Sequence, residues 1–470
     1  MMGGGSMFKF DLEANGTSVR TEILAGVTTF LSMVYILAVY PNIMGSIGIP
    51  AGGAVIAAAL ASFIGTFLMG WLGRYPFALA PGVGIVPFFA FSVVVSMGIS
   101  WQFAMAAVFA EGLIFLACTL IPIREKIFDA IPLPLKTAIS VGIGLFIIYI
   151  GLQGARIIVG GPCLTTLVGF RANFGTSGIC AVLALAGLAA TVVMHHHKVP
   201  GAMLWGILFT WGLGMLCQAL GVYKVDPAEK MYSLYPDLRL GMFGEAFREF
   251  RSLCGECLDS GKWSIRGSEL TGWKLLLSGN FLVVMFTLLF DDLFNTLGTL
   301  TGVASTAGML DKQGKLPRLK GALLADALAT TAGSLMGATT TTSYVESATG
   351  VAVGGRTGLT AYVTAILFLL AIFFAPVFTA IPAFATAPAL ITVGFFMVSQ
   401  IVNINFRDIT EAFPCLAAMI IMPFSYNIAD GICFGFIFWT AINLLCGRRD
   451  RVSWTLIIFS LLFVAKYIFL

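Results

Sequence analysis

Long apolar runs recur along the whole chain. They fall near residues 22–40, 53–73, 83–97, 101–121, 134–153, 178–194 and 200–221. After a polar stretch at 222–274, more fall near 276–300, 321–337, 344–354, 357–380, 386–401, 410–425 and 427–446. A helix needs about 20 apolar residues to cross a bilayer, so this pattern predicts a polytopic membrane protein with mostly short joints. Only 11% of the residues are charged, against about 25% in soluble domains, which excludes a soluble enzyme. The first run continues into a full span, so no cleavable signal stands out. The last apolar segment, 453–470, is either a fifteenth span or an interfacial helix.

Basic residues sort onto alternate joints. With the N-terminus in the cytoplasm, the inner joints hold Arg74, Arg124, Lys126, Lys198, Lys312, Lys315, Arg318, Lys320, Arg356, Arg407, Arg448 and Arg449. The short outer joints hold only Arg156 and Arg171. This bias predicts a multi-pass protein of the cytoplasmic (inner) membrane with a cytoplasmic N-terminus. The 222–274 loop then lies outside, with eight basic and eight acidic residues. Cys254-Gly255-Glu256-Cys257 within it is a lone pair, too few ligands for a zinc site. His195-His196-His197-Lys198 reads as a solvated helix end rather than a metal cluster.

Gly53 to Ser62 reads closely as Gly321 to Thr330, an offset of 268 that also relates Gly65 to Gly333 and Gly82 to Gly350. Seven spans per copy is an odd number, so the second copy sits upside down, an arrangement of secondary transporters. Their sites form where paired segments are short and interrupted by Gly or Pro. Here these are Phe77 to Gly84 and Ser343 to Gly350. Irregular backbone at bilayer depth must be buried in protein or line a cavity.

The second segment ends a run with seven hydroxyl side chains around one carboxyl group, Thr339 to Ser347. A carboxyl at that depth is costly and marks a functional site. Glu346 therefore reads as an acceptor for solute N–H groups or a proton carrier, a role compatible with capping its half-helix. Upstream, Asp291 and Asp292 are adjacent and cannot share one helix face; Asp292 is the favoured site residue, with Asn295 on its side. Asp291, Asp326 and Glu111 read as structural hydrogen-bonding groups. The hydroxyls of Thr339 to Ser343 are expected to satisfy the exposed backbone of the broken segment. Thr28, Thr29 and Ser32 give the first span a polar side toward the same centre. Tyr344, Phe77, Phe88 and Phe89 are candidates for stacking on a flat ring, with apolar packing as the alternative. No Walker loop and no catalytic constellation is present.

Several stretches carry a resemblance. They are Thr21 to Phe30, Phe77 to Gly82, Asp292 to Leu300, Glu346 to Gly350, Gly354 to Thr360, Ala385 to Pro388 and Ile428 to Gly431. In them the chain resembles the AzgA-like purine permeases of the nucleobase transporter (xanthine/uracil permease) superfamily. The resemblance implies an all-α polytopic fold of 14 transmembrane segments in two inverted seven-helix repeats, with two short β-like pieces at the midplane. It implies a cytoplasmic N-terminus at 1–21, a core domain from 22–121 and 275–380, and a gate domain from 122–221 and 381–446. The 222–274 loop and a C-terminal segment, 447–470, complete the chain. Substrate would contact Asp292, Glu346, Tyr344, Ala80, Val86, Phe77 and Thr29, and Glu346, Asp292 and Asn295 would handle protons.

Such permeases import adenine, guanine or hypoxanthine with protons by an elevator-like movement. The expected partners are therefore a nucleobase, a proton, the lipid bilayer and a second copy in a homodimer. No nucleic acid and no cofactor beyond the proton gradient are expected. Three departures stand out: the family's purine-binding asparagine is Val86, its second aspartate of the eighth segment is Asn295, and the Asn-Pro closing helix 1 is Tyr40-Pro41. They leave open whether the base is a common purine or a related heterocycle. The rival readings are an anion transporter of the sulfate or bicarbonate kind on the same fold, and a channel or non-transporting receptor.

Overall fold

The computed structural model describes residues 10, 12–120, 131–160, 165–169, 174–225, 231–236, 241–266, 272–306, 308–309 and 316–469. Arg124, Lys126, Arg171, Lys312 and Lys315, used above for orientation, lie outside them. The first half contains α1 (Val19–Met33), α2 (Ile36–Gly45), α3 (Ala51–Leu68), β1 (Leu79–Pro81), α4 (Ile85–Ser96), α5 (Trp101–Leu120) and α6 (Leu133–Gly154). Then come β2 (Ile158–Gly160), β3 (Thr165–Leu167), α7 (Ile179–His196) and α8 (Ala202–Ala219). The second half contains α9 (Gly241–Leu253), α10 (Gly279–Thr306), α11 (Leu319–Leu335), β4 (Thr341–Ser343), α12 (Ser347–Val353) and α13 (Gly358–Ala371). It ends with α14 (Ala383–Val398), α15 (Ile409–Ser425), α16 (Ile428–Leu445) and α17 (Trp454–Phe469).

Among the described residues, ten helices are long and apolar enough to cross a membrane. Large apolar side chains stay exposed along several of them, among them Val193, Phe209, Leu216 and Phe374. On a protein in water such a belt is a liability; facing lipid it costs nothing. α14 packs along α6, α7 and α8, and α15 packs on α6 and α16. α3 packs on α9, α11 and α13, α11 on α5, and α1 on α12 and α13. Small residues permit the closest of these crossings. A Cβ built on Gly394 of α14 would meet Gly144 O of α6 at 2.6 Å. One built on Gly350 of α12 would meet Thr29 Oγ1 of α1 at 2.1 Å.

β1 and β4 pair antiparallel, with Leu79 opposite Ser343, Ala80 opposite Thr342 and Pro81 opposite Thr341. Antiparallel pairing sends the helices that follow, α4 and α12, away in opposite directions. A second hairpin, β2 with β3, joins α6 to α7. The repeat offset needs correction. Gly65 and Gly333 do lie in α3 and α11, 268 residues apart, but β1 and β4 start 262 residues apart, at Leu79 and Thr341. The link before β4 is shorter, so Gly82 does not correspond to Gly350. The extended piece of the second half also begins earlier than the 343–350 segment, within the threonine run.

The 222–274 loop divides between two supports. Near its start, Trp211 Nε1 of α8 donates to Leu234 O at 2.9 Å, and Leu234 N donates to Gln218 Oε1 at 2.8 Å. Amphipathic α9 instead lies on α3, where Glu249 Oε2 accepts from Gly53 N at 3.0 Å. Farther on, Ile265 bridges Ile99 beside the start of α5. α17 runs antiparallel along α16. Thr440 and Ser460 share a hydrogen bond of 2.8 Å, Phe436 packs edge-on against Phe459 and Phe463, and Tyr467 reaches back to Asp430. The last apolar segment therefore lies alongside a long apolar helix and not across its end.

Each strand is held on its outer side by one threonine of the preceding helix. Thr66 Oγ1 of α3 donates to Leu79 O at 3.0 Å and accepts from Leu79 N at 2.9 Å. Thr330 Oγ1 of α11 does the same for Thr341 O and N, both at 3.1 Å. A buried backbone group left unpaired costs about 1–3 kcal/mol. Thr330→Val should therefore lower the melting temperature of the detergent-solubilised protein by several degrees, while Thr330→Ser should leave it near the parent value. Equal melting of the valine variant and the parent would contradict this account of the strand.

Candidate functional site

The site forms around the β1–β4 ribbon. Its ladder extends past both ends: Tyr344 N donates to Ala78 O, and Gly82 N donates to Thr340 O, each at 3.0 Å. Ser347 Oγ, at the start of α12, accepts from Ala78 N at 3.0 Å. The Tyr344 hydroxyl donates to Pro81 O, pinning its ring to the ribbon. Tyr40 serves the approach to β4, donating to Gly337 O at 3.0 Å and accepting from Thr339 N at 3.1 Å. Backbone that has left regular helix thus finds partners within the protein, as apolar surroundings require.

The threonine run does not cap its own backbone, contrary to the expectation from sequence. Neighbouring helices supply those hydroxyls, and the run's side chains turn elsewhere. Thr340 Oγ1 donates to Glu111 Oε2 of α5 at 2.7 Å, and Thr342 Oγ1 accepts from Asn295 Nδ2 of α10 at 3.3 Å. The hydroxyls of Thr339, Thr341 and Ser343 are buried without a hydrogen-bond partner among the described residues.

Glu346 stands between β4 and α12, partly exposed. It occupies the N-cap position but makes no side-chain cap hydrogen bond. Its Oε1 accepts from the Tyr35 hydroxyl at 2.8 Å. Its second oxygen takes no hydrogen bond from the described residues. Tyr35 is fully buried in the tight turn between α1 and α2, where Ala38 N bonds back to Tyr35 O. The carboxyl is therefore aimed by a tyrosine and left half open, and this decides against the capping role.

Asp292 takes part in a different cluster. Thr296, one turn along α10, donates to Asp292 Oδ1 at 3.0 Å and to Asp326 Oδ1 of α11 at 2.9 Å, and it lies 3.5 Å from Ser343 N. One hydroxyl hydrogen is thus shared by two buried carboxyl groups. The structure gathers Phe77, Ala80, Tyr344, Asn295 and Glu346 around the ribbon. Phe77 stacks on Tyr75, with ring centroids 5.2 Å apart. Val86 is the second residue of α4, its N–H donating to Gly82 O at 2.9 Å. Thr29 is buried on α1 behind Gly350, its hydroxyl unpartnered. No Lys, Arg or His lies on α4, α5, α10 or α12, although Glu111, Asp291, Asp292, Asp326 and Glu346 all belong to this region.

Sequence reasoning missed Tyr35, Thr296 and Glu22. Buried Glu22 on α1 accepts from Arg356 N at 2.9 Å, Thr360 N at 3.1 Å and Thr360 Oγ1 at 2.6 Å, tying α1 to the start of α13. Only the spacing of Asp292 and Thr296, four apart on one helix face, was a readable signal for any of the three.

Comparison with known proteins places this arrangement. Residues 20–433 match the Permease family (Xan_ur_permease). The chain belongs to that family. It is 40% identical to the guanine/hypoxanthine permease PbuG of Bacillus subtilis, over 98% of this chain and 99% of that one. It is 35% identical to the adenine permease AdeP of Escherichia coli, over 98% of this chain and 95% of that one. Among solved structures it is similar to the transmembrane domain of the cyanobacterial bicarbonate transporter BicA. That likeness has a TM-score of 0.60 at 16% identity, covering 88% of this chain and 97% of that one. It is also similar to SLC26A9, with a TM-score of 0.59 at 10% identity, over 93% of this chain and 66% of that one. These two likenesses concern the fold alone. The protein is a permease and not an enzyme.

Thr296 gives a test of the α10–α11 cluster. Thr296→Val removes the hydrogen shared by Asp292 and Asp326 and should destabilise the permease by about 2 kcal/mol. Thr296→Ser should restore parent-like melting. A valine variant as stable as the parent would show that the two carboxyl groups do not depend on this hydroxyl.

Proposed function

We propose that this permease imports a purine-type nucleobase, hypoxanthine, guanine, adenine or a related heterocycle, together with protons. The observation that carries the reading is Glu346: one oxygen is fixed by Tyr35 and the other is open, at the end of a ribbon lined by Ala80, Tyr344 and Phe77. An open carboxylate oxygen accepts N–H donors, and a purine offers N–H donors along its edge. Charge-assisted hydrogen bonds of this kind are about twice as strong as neutral ones. The relatives named as adenine and guanine/hypoxanthine permeases support the same substrate class.

The fourteen spans we infer are the ten long helices with α4, α11, α15 and the β4–α12 segment, arranged as two inverted repeats. A core at 22–121 and 275–380 would carry the ribbon, and a gate at 122–221 and 381–446 would pack against it. The N-terminus would be cytoplasmic, the membrane the inner one, and the assembly a homodimer. In this reading the core moves as an elevator past the gate. Glu346 and Asp292 bind proton and base outside, because an uncompensated carboxylate is costly to carry through an apolar barrier. Asn295 cannot titrate and serves as a hydrogen-bond donor to the ribbon. Thr29 and Val86 complete the cleft, with Val86 leaving it less polar than an asparagine would.

Anion transporters share this fold, but an anion site is lined by donors and positive charge. Five carboxyl groups, with no cation on α4, α5, α10 or α12, oppose that reading. The test is uptake of labelled hypoxanthine, guanine, adenine and uracil by cells lacking their own carriers. Saturable purine uptake that rises at acid pH is expected. Glu346→Gln should lower uptake about tenfold or more, the equivalent of about 1.5–3 kcal/mol for a hydrogen bond to a charged group. Uptake of sulfate or bicarbonate but of no base would overturn the assignment.

A further inference from the structure

Asp291 is a carboxyl group on α10 that the transport reading above does not use. It is 1% exposed, and its Oδ2 is buried without a hydrogen-bond partner among the described residues. None of the ion pairs among the described residues involves it.

Its place on α10 follows from helix geometry. Residues four apart lie one above the other, so Asp291 stands one turn from Asn295, the residue that reaches Thr342 of the ribbon. Asp292 stands above Thr296 on a neighbouring stripe, about 100° around the helix, and faces Asp326 of α11. Phe290, on the other side of Asp291, packs edge-on against Phe436 of α16 and Phe459 of α17, at 6.1 and 5.1 Å. Asp291 thus lies at the seam between the ribbon face of α10 and the face packed on α16.

The titratable groups of the surrounding elements are otherwise engaged or remote along their helices. Glu111 of α5 is bonded by Thr340, Asp326 of α11 by Thr296, and Glu346 by Tyr35. Asp430 of α16 is bonded by Asn427 and Tyr467. Lys320 and Lys136 lie in the first turns of α11 and α6, and Lys274 precedes α10. Tyr149 belongs to the far end of α6 and accepts from Gln153. An ionised carboxylate buried with an oxygen lacking any donor is strongly disfavoured, whereas the neutral acid is tolerated.

We propose that Asp291 is a proton-carrying residue of the transport cycle. It holds a proton while α10 is packed on α16, and exchanges it when the ribbon-bearing helices move away from α16. This rests on the proton-symport reading and adds to it a carboxyl distinct from those at the substrate.

The test uses the purified full chain in proteoliposomes, with hypoxanthine as the probe. Two modes are compared: exchange of labelled for unlabelled hypoxanthine at equal pH, and net uptake driven by acid outside. Asp291→Asn should keep exchange within about twofold of the parent and lose the stimulation by the pH gradient. A variant stimulated as strongly as the parent would overturn the proposal. Should Asp291→Asn fail to fold, carbodiimide labelling of the parent decides, because the reagent attacks protonated buried carboxyl groups. Adduct at Asp291 supports the proposal, and its absence while another carboxyl is labelled overturns it. A parent that exchanges hypoxanthine but ignores the pH gradient would instead overturn proton symport, and with it this role.

Discussion

The pairing of two three-residue strands is the contact on which the rest of this structure depends. In lipid every peptide group must find a partner inside the protein, which normally restricts spanning backbone to helix. β1 and β4 escape that restriction because each supplies the other's partners: Ala80 lies opposite Thr342, Ala78 O accepts from Tyr344 N, and Thr340 O accepts from Gly82 N. Their outer sides would still be bare. Thr66 and Thr330 cover them with reciprocal donor–acceptor pairs. Pro81 fits because a ribbon of only two strands asks few N–H groups of it. Once the ribbon exists, α4 and α12 must begin beside it and run apart, and Glu346 is placed at its end.

A second constraint is electrostatic. Five carboxyl groups belong to the ribbon and the helices around it, and α4, α5, α10 and α12 bring no basic side chain to answer them. The structure answers with hydroxyl hydrogens: Tyr35 for Glu346, Thr340 for Glu111, and Thr296 shared by Asp292 and Asp326. Each gives one hydrogen where a carboxylate accepts several. A buried carboxylate is costly unless such hydrogen bonds, or a donor arriving with a ligand, compensate it. The proposed binding of proton and solute would relieve that cost.

Much of this was legible in the sequence, for definite reasons. Glu346 announced itself because a carboxyl in an apolar run is rare, and the ribbon because Pro81 and the threonine run break helical patterning. The likeness of α3 and α11 showed through matching small residues, since both helices need close packing. Other things did not show, Glu22 among them. The shortening of the link before β4 shifted the register from 268 to 262, which no local pattern signals. Tyr35 reads as an ordinary apolar-run aromatic until α1 breaks beside it. Thr296 acquires its meaning only when α11 brings Asp326 within reach. The hydroxyls of Thr339 to Ser343 looked like backbone caps, but capping came from neighbouring helices because the run's own side chains point away from the strand backbone.

The claim at the centre of the account is that a purine binds at the end of the ribbon, on the open oxygen of Glu346. Its most direct test is a cryo-electron microscopy structure of the permease with saturating hypoxanthine. Density for a flat ring within hydrogen-bonding distance of Glu346, beside Ala80 and Tyr344, is the predicted result. A base seated elsewhere, with the Glu346–Tyr35 pair unchanged and its second oxygen still open, would contradict it.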